Sequence, residues 1–105
     1  MSRLPQLNKL LALDPDDAFV LYGIAQEHSK LGDHAEAVRW YRKCLTVDTT
    51  FLYAYFHMGR SLQALEQLDE ARHVVADGVR EALKAGDGKA SSELSSLQVE
   101  LSEAR

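Results

Sequence analysis

One feature constrains this chain before any element is assigned: the segment from Leu21 to Val47 superposes on Tyr55 to Glu81 when shifted by 34 residues. Under that shift Leu21 meets Tyr55, Ile24 meets Met58, Ala25 meets Gly59 and Leu31 meets Leu65. Glu36-Ala37 then fall on Glu70-Ala71, Tyr41 on Val75 and Cys44 on Gly78. Self-similarity at such a period predicts a stack of similar small units, each burying its apolar face against its neighbours.

Within each unit, apolar residues recur every three or four positions on both sides of a short polar break, the spacing of two helices. The first helix of the first unit is expected from about Asp17 to Leu31, capped by Asp16 or Asp17. Gly32 can take the left-handed conformation that closes it, and Asp33 can cap a second helix through about Val47. Asp48-Thr49-Thr50 ends that helix. In the second unit Thr50 is expected to cap a helix to about Leu65, and Asp69 one to about Ala85, with Glu66-Gln67-Leu68 as the turn between. Ala25, Ala37, Gly59 and Ala71 place small residues where paired axes cross closely. No period-two pattern competes, and with only two prolines and six glycines in 105 residues little interrupts the helices.

These residues resemble the tetratricopeptide repeat, in the form of a small, bacterial-type two-repeat protein. The family pattern is carried by Leu21, Ile24, Ala25, His28, Ala37 and Tyr41 in the first copy, and by Tyr55, Met58, Gly59, Leu62, Ala71 and Val75 in the second. His28 departs from the pattern, and Thr49 and Leu83 stand where a proline would close each unit. Leu10 to Asp16 resembles the end of a further second helix, with Pro15 one period before Thr49. The implied fold is all-α: antiparallel helix pairs stacked as a short right-handed superhelix, in a single domain over 1–105. Its parts are a half-repeat capping helix at 4–14, repeats at 17–49 and 51–85, and a C-terminal capping helix at 89–103.

The two ends follow from the need to cover the array. Pro5 suits a first helical turn, and Leu7, Leu10 and Leu11 form a stripe to lay on Leu21 and Ile24. After Gly86-Asp87-Gly88, the last helix carries Ala90, Leu94, Leu97 and Leu101 on one face and serines elsewhere. It fits the 34-residue register poorly and is expected to act as a solvating cap in place of a third repeat's first helix. Its removal should uncover Leu62 and Leu83. Two capped ends suggest a complete protein.

In the family, the first helices line a concave groove that holds a partner's peptide or helix. Helical geometry places Phe19, Tyr22, Gln26 and Lys30 there from the first unit, and Tyr53, Phe56, His57, Arg60 and Gln63 from the second. Aromatic rings give large contact area at small entropic cost, and Arg60 with Gln26 and Gln63 could orient a backbone or carboxylate. Tyr22, Phe56 and Arg60 are the expected anchors. The alternative for two rings is structural, with Phe19 under the first cap and Tyr53 against the last helix. The carboxylate clamp of chaperone-binding members is not carried here: Tyr22, Gln26 and His57 hold the places of its Lys and two Asn.

Other chemistry finds no support. The net charge of −4 provides no basic stripe for nucleic acid, and no apolar run reaches the roughly 20 residues that span a bilayer. The start lacks a signal peptide's apolar core, so a cytoplasmic location is expected. The lone Cys44 reads as a small core residue. His28, His34, His57 and His73 share no face, so no metal, cofactor or catalytic site is expected, and the protein is not expected to be an enzyme. Glu27, Glu36 and Glu70 read as helix-surface charges or, for Glu36 and Glu70, as first-turn acids near the positive end of a second helix. The function expected is an adaptor or scaffold binding a protein or peptide; the alternative is a self-associating module that forms a homodimer.

Overall fold

A computed structural model describes residues 2–104. Six helices follow one another: α1 Leu4–Leu13, α2 Ala18–Lys30, α3 His34–Val47, α4 Leu52–Ala64, α5 Leu68–Ala85 and α6 Gly88–Glu103. Among the described residues there is no strand. The fold is all-α, with α2–α3 and α4–α5 as antiparallel pairs stacked in a short right-handed superhelix, α1 on one end and α6 on the other.

Local chemistry sets most boundaries. The Asp17 carboxylate accepts from the Phe19 and Val20 amides, Asp33 from Glu36 and Asp87 from Ala90, satisfying N–H groups that a helix start leaves without partners. Gly32 follows α2 at φ 79°, as a left-handed closing residue should. One period later Glu66 takes φ 60° in the corresponding turn, a conformation that costs a side-chain-bearing residue and that glycine adopts freely.

Two expected caps are corrected. Thr50 does not cap α4; its hydroxyl donates to Asp48 Oδ1 at 2.6 Å, and Phe51 stands at the N-cap. The helix begins one residue later than the pattern implies, and Thr50 is held in the preceding turn, where its backbone N–H and its hydroxyl both donate to Asp48 Oδ1. Asp69 does not cap α5, which already begins at Leu68, and instead pairs with Arg72 one turn on.

The crossings are as close as the small residues predict. A Cβ on Gly59 would sit 2.5 Å from Val75 Cγ2, and one on Gly78 would sit 2.6 Å from Tyr55 Cβ and 3.0 Å from Leu94 Cδ2. Gly78 therefore admits α4 and α6 together against α5. Tyr41, Met58, Leu62 and Val75 fill the core between the pairs. Cys44 is fully buried there, and burial pushes its thiol up to about 12, which makes it unreactive.

At the amino end, Leu7 packs with Val20 and Ile24, but Leu10 turns outward at 50 % exposure rather than joining the stripe. Glu27 corrects its expectation as a surface charge: it is buried and accepts the Arg3 backbone N–H at 3.2 Å, at the positive end of α1. Lys30 and Arg3 stand 3.6 and 3.9 Å from the same carboxylate, so this buried charge is paired.

At the other end, Ala90, Leu94, Leu97 and Leu101 are buried against α4 and α5. Arg72 donates from Nε to the Leu101 carbonyl and from Nη2 to the Ala104 carbonyl, closing the last turn of α6. Leu83, expected beneath this helix, is 66 % exposed; Leu62 is the residue covered.

Candidate functional site

The expected groove residues come from the matching first helices, α2 and α4, and α6 lies beside α4 on the same face. The aromatic side chains there touch in sequence. Phe19 meets Phe51 edge-on with ring centres 5.3 Å apart, Phe51 meets Tyr22 at 4.7 Å, and Tyr22 meets His57 at 6.0 Å. His57 in turn stacks on Tyr41 and takes Phe56 edge-on at 5.2 Å.

The row is graded in depth. Tyr41 is fully buried and forms its floor, Tyr22, Phe51, Phe56 and His57 are half-buried, and Phe19 is 78 % exposed. Phe19 therefore does not lie under the first cap. Its ring stands beside a depression of about 300 Å³ between α2 and the start of α1, shared with Tyr22, Gly23, Gln26 and Lys30. Burial lowers the His57 pKa, partly opposed by Glu93 and reinforced by Arg60, so its imidazole is neutral at pH 7. Burial also raises the Tyr22 and Tyr41 phenols, which stay protonated as hydrogen-bond donors.

The polar residues are less free than the sequence implies. Gln26 already accepts from the Tyr41 hydroxyl. Arg60 lies over the Phe56 ring at 5.5 Å, and its Nη1 donates to Gln63 at 2.9 Å and to Glu100 at 2.7 Å. Gln63 Nε2 reaches the same Glu100 oxygen at 2.7 Å. Hydrogen bonds from Gln63 and Arg60 hold the Glu100 carboxyl below the usual carboxylate range. The cation expected to orient a partner's carboxylate thus already holds one from this chain.

Three contributors are not indicated by the helical pattern of α2 and α4. Phe51 precedes α4 and so lies outside its helical periodicity, yet it bridges Phe19 and Tyr22. Glu100 and Glu93 sit on a helix read as a cap. The signal for them was available: they are seven residues apart, hence on one face of α6. Tyr53 is half-buried, and its phenol stands within the field of Glu93 on that helix.

A second cleft of about 340 Å³ opens elsewhere, between α1 and α3, with Leu11, Pro15, Trp40 and Lys43 on its walls. The Lys43 ammonium sits 4.2 Å from the Trp40 ring centre. The buried indole N–H has no hydrogen-bond partner among the described residues. Among the described residues no three His, Cys, Asp or Glu side chains gather as a metal site, and no helix is long and apolar enough to cross a membrane.

Comparison with known proteins adds three likenesses and one family match. Residues 20–51 match the family model described as tetratricopeptide repeat. The chain is 27 % identical over 99 residues to the TPR repeat-containing protein PA0015 of Pseudomonas aeruginosa, covering 94 % of each. It superposes with a TM-score of 0.81 on the solution structure of a tetratricopeptide repeat domain protein from Salinibacter ruber, at 28 % identity, over 88 % of this chain and 93 % of the other. The TPR2B domain of yeast Sti1, solved in complex with pHsp70, superposes at 0.88 with 20 % identity, over 94 % of this chain and 79 % of that one.

Proposed function

We propose, from the premise that this chain is a tetratricopeptide-repeat protein, that it is a non-catalytic adaptor or scaffold. The face shared by α2, α4 and α6 is its concave groove, and a partner's peptide or helix lies there. Its repeats are 17–49 and 51–85, closed by helices at the two ends. The contacts are Phe19, Tyr22, Gln26, Tyr53, Phe56, His57 and Arg60, to which Phe51 is added.

The observation that carries this reading is the graded row of rings. A wholly structural cluster would bury its outermost ring, whereas Phe19 leaves most of its surface in water beside a half-buried wall and a fully buried floor. Exposed aromatic surface backed by rigid packing is what a binding hot spot requires. The yeast Sti1 domain, complexed with pHsp70 on the same fold, supports the general mode.

Photocrosslinking tests it in the intact protein. p-Benzoylphenylalanine in place of Phe19 is expected to trap a partner on illumination, while the same group in place of the exposed His73 on α5 is not. Crosslinks from position 73 alone would move the site off the groove. A homodimer is the second reading, favoured by Leu10 and Leu13 of α1, which are 50 % and 83 % exposed. A mass that stays monomeric at micromolar concentration excludes it.

A further inference from the structure

The charges around the groove are unevenly spent. Its cation Arg60 is bonded to Glu100 and rests on Phe56. At the α2 edge Lys30 and Arg3 share the buried Glu27. Glu93 differs, because among the described residues no cation lies within 4 Å of it. Lys89, one turn before it on α6, is exposed and does not pair with it.

Its position follows from register. The side chains of Arg60 on α4 and Glu100 on α6 meet at 2.7 Å, and these helices occupy equivalent, parallel places in the stack. Two turns earlier on both stand Tyr53 and Glu93. Independently, the Tyr53 phenol is raised by burial and then by the Glu93 carboxylate, with Asp87 adding to the same sign. One turn on from Tyr53 come Phe56 and His57, the latter also within the field of Glu93. A half-exposed carboxylate without a cation thus stands at the end of a row of rings, a combination that favours a positively charged side chain by charge and by the negative faces of the rings. The protein's net charge of −4 acts in the same sense at longer range.

We infer that the segment received by the groove is basic, and that one of its lysine or arginine side chains pairs with Glu93 alongside Tyr53 and Phe56. The inference rests on the groove reading above. It sets direction as well as chemistry: the basic residue lies at the α6 side, and the apolar residues run toward Phe51 and Phe19.

Selection of random dodecapeptides displayed on phage, against the full chain, tests both statements separately. The expected peptides are enriched in Lys or Arg and lose binding to the Tyr22→Ala/Phe56→Ala double variant. They weaken about tenfold against Glu93→Gln, and Glu93→Lys selects acidic peptides instead. Groove-dependent peptides that are neutral or acidic, or basic ones indifferent to Glu93→Gln, overturn the inference and leave the groove intact. Peptides indifferent to the double variant overturn the groove reading, and the inference with it. Glu93 is half-exposed and in no ion pair among the described residues, so both substitutions should leave the melting temperature near that of the parent.

Discussion

Ending the chain at Ala85 is expected to lower the melting temperature by more than about 10 °C. The helix lost would be α6, whose Leu94, Leu97 and Leu101 are each at most 1 % exposed. Uncovering the core that these leucines close is comparable to one large-to-small core substitution, about 3 kcal/mol. For a domain of this size each kcal/mol shifts the midpoint by roughly 4–8 °C. The remaining α4–α5 pair would present Leu62, Val75 and the bare crossing at Gly59 to water, surfaces that a stack normally covers with its next helix. Thermal unfolding followed by circular dichroism measures this. A midpoint within about 2 °C of the full chain would mean that α6 is a passive appendage rather than part of the core.

That the fold was legible owes most to the doubled period. Repetition turns weak local preferences into a register, and once Leu21 lies on Tyr55 the small residues at the crossings are placed without further argument. Asp17 and Asp33 announced their helices because a carboxylate beside unpaired amides has few better partners. Thr50 misleads because Asp48 accepts from its backbone N–H and hydroxyl and holds it in the turn, so that α4 starts one residue later, a shift that does not show in a pattern of residue types. Spacing alone points Leu10 inward, but α1 packs chiefly along α2, and a narrow stripe suffices. Glu27 is the clearest case of long-range structure overriding a local reading. Its burial depends on where the start of α1 comes to rest, 24 positions away in sequence.

The face that carries the candidate site was legible in outline, and its electrostatics were not. Helical geometry found Tyr22, Phe56 and His57, since a face one turn apart is a property of sequence. It could not find Phe51, which joins the rings from outside the helix. Nor could it see that Arg60 would be taken by Glu100, 40 residues on, because that pairing depends on how α6 docks. The correction changes the expected partner: an arginine already holding a carboxylate is a poor anchor for another.

Replacing Tyr22 and Phe56 together by alanine is the second large effect. Both rings are half-buried and packed on His57, so each offers an ordered surface whose desolvation is partly complete before a partner arrives. Anchors of this kind contribute about 2 kcal/mol or more each, which for the pair corresponds to a loss in affinity of several hundred-fold or more. The fold should survive, since Tyr41, Met58 and Leu62 beneath them are untouched. The most direct measurement is therefore affinity capture with the immobilised parent and double variant side by side, bound proteins quantified by mass spectrometry and helicity checked for both. The groove account predicts that the partners retained by the parent vanish from the equally helical variant; the same partners retained in the same amounts would contradict it.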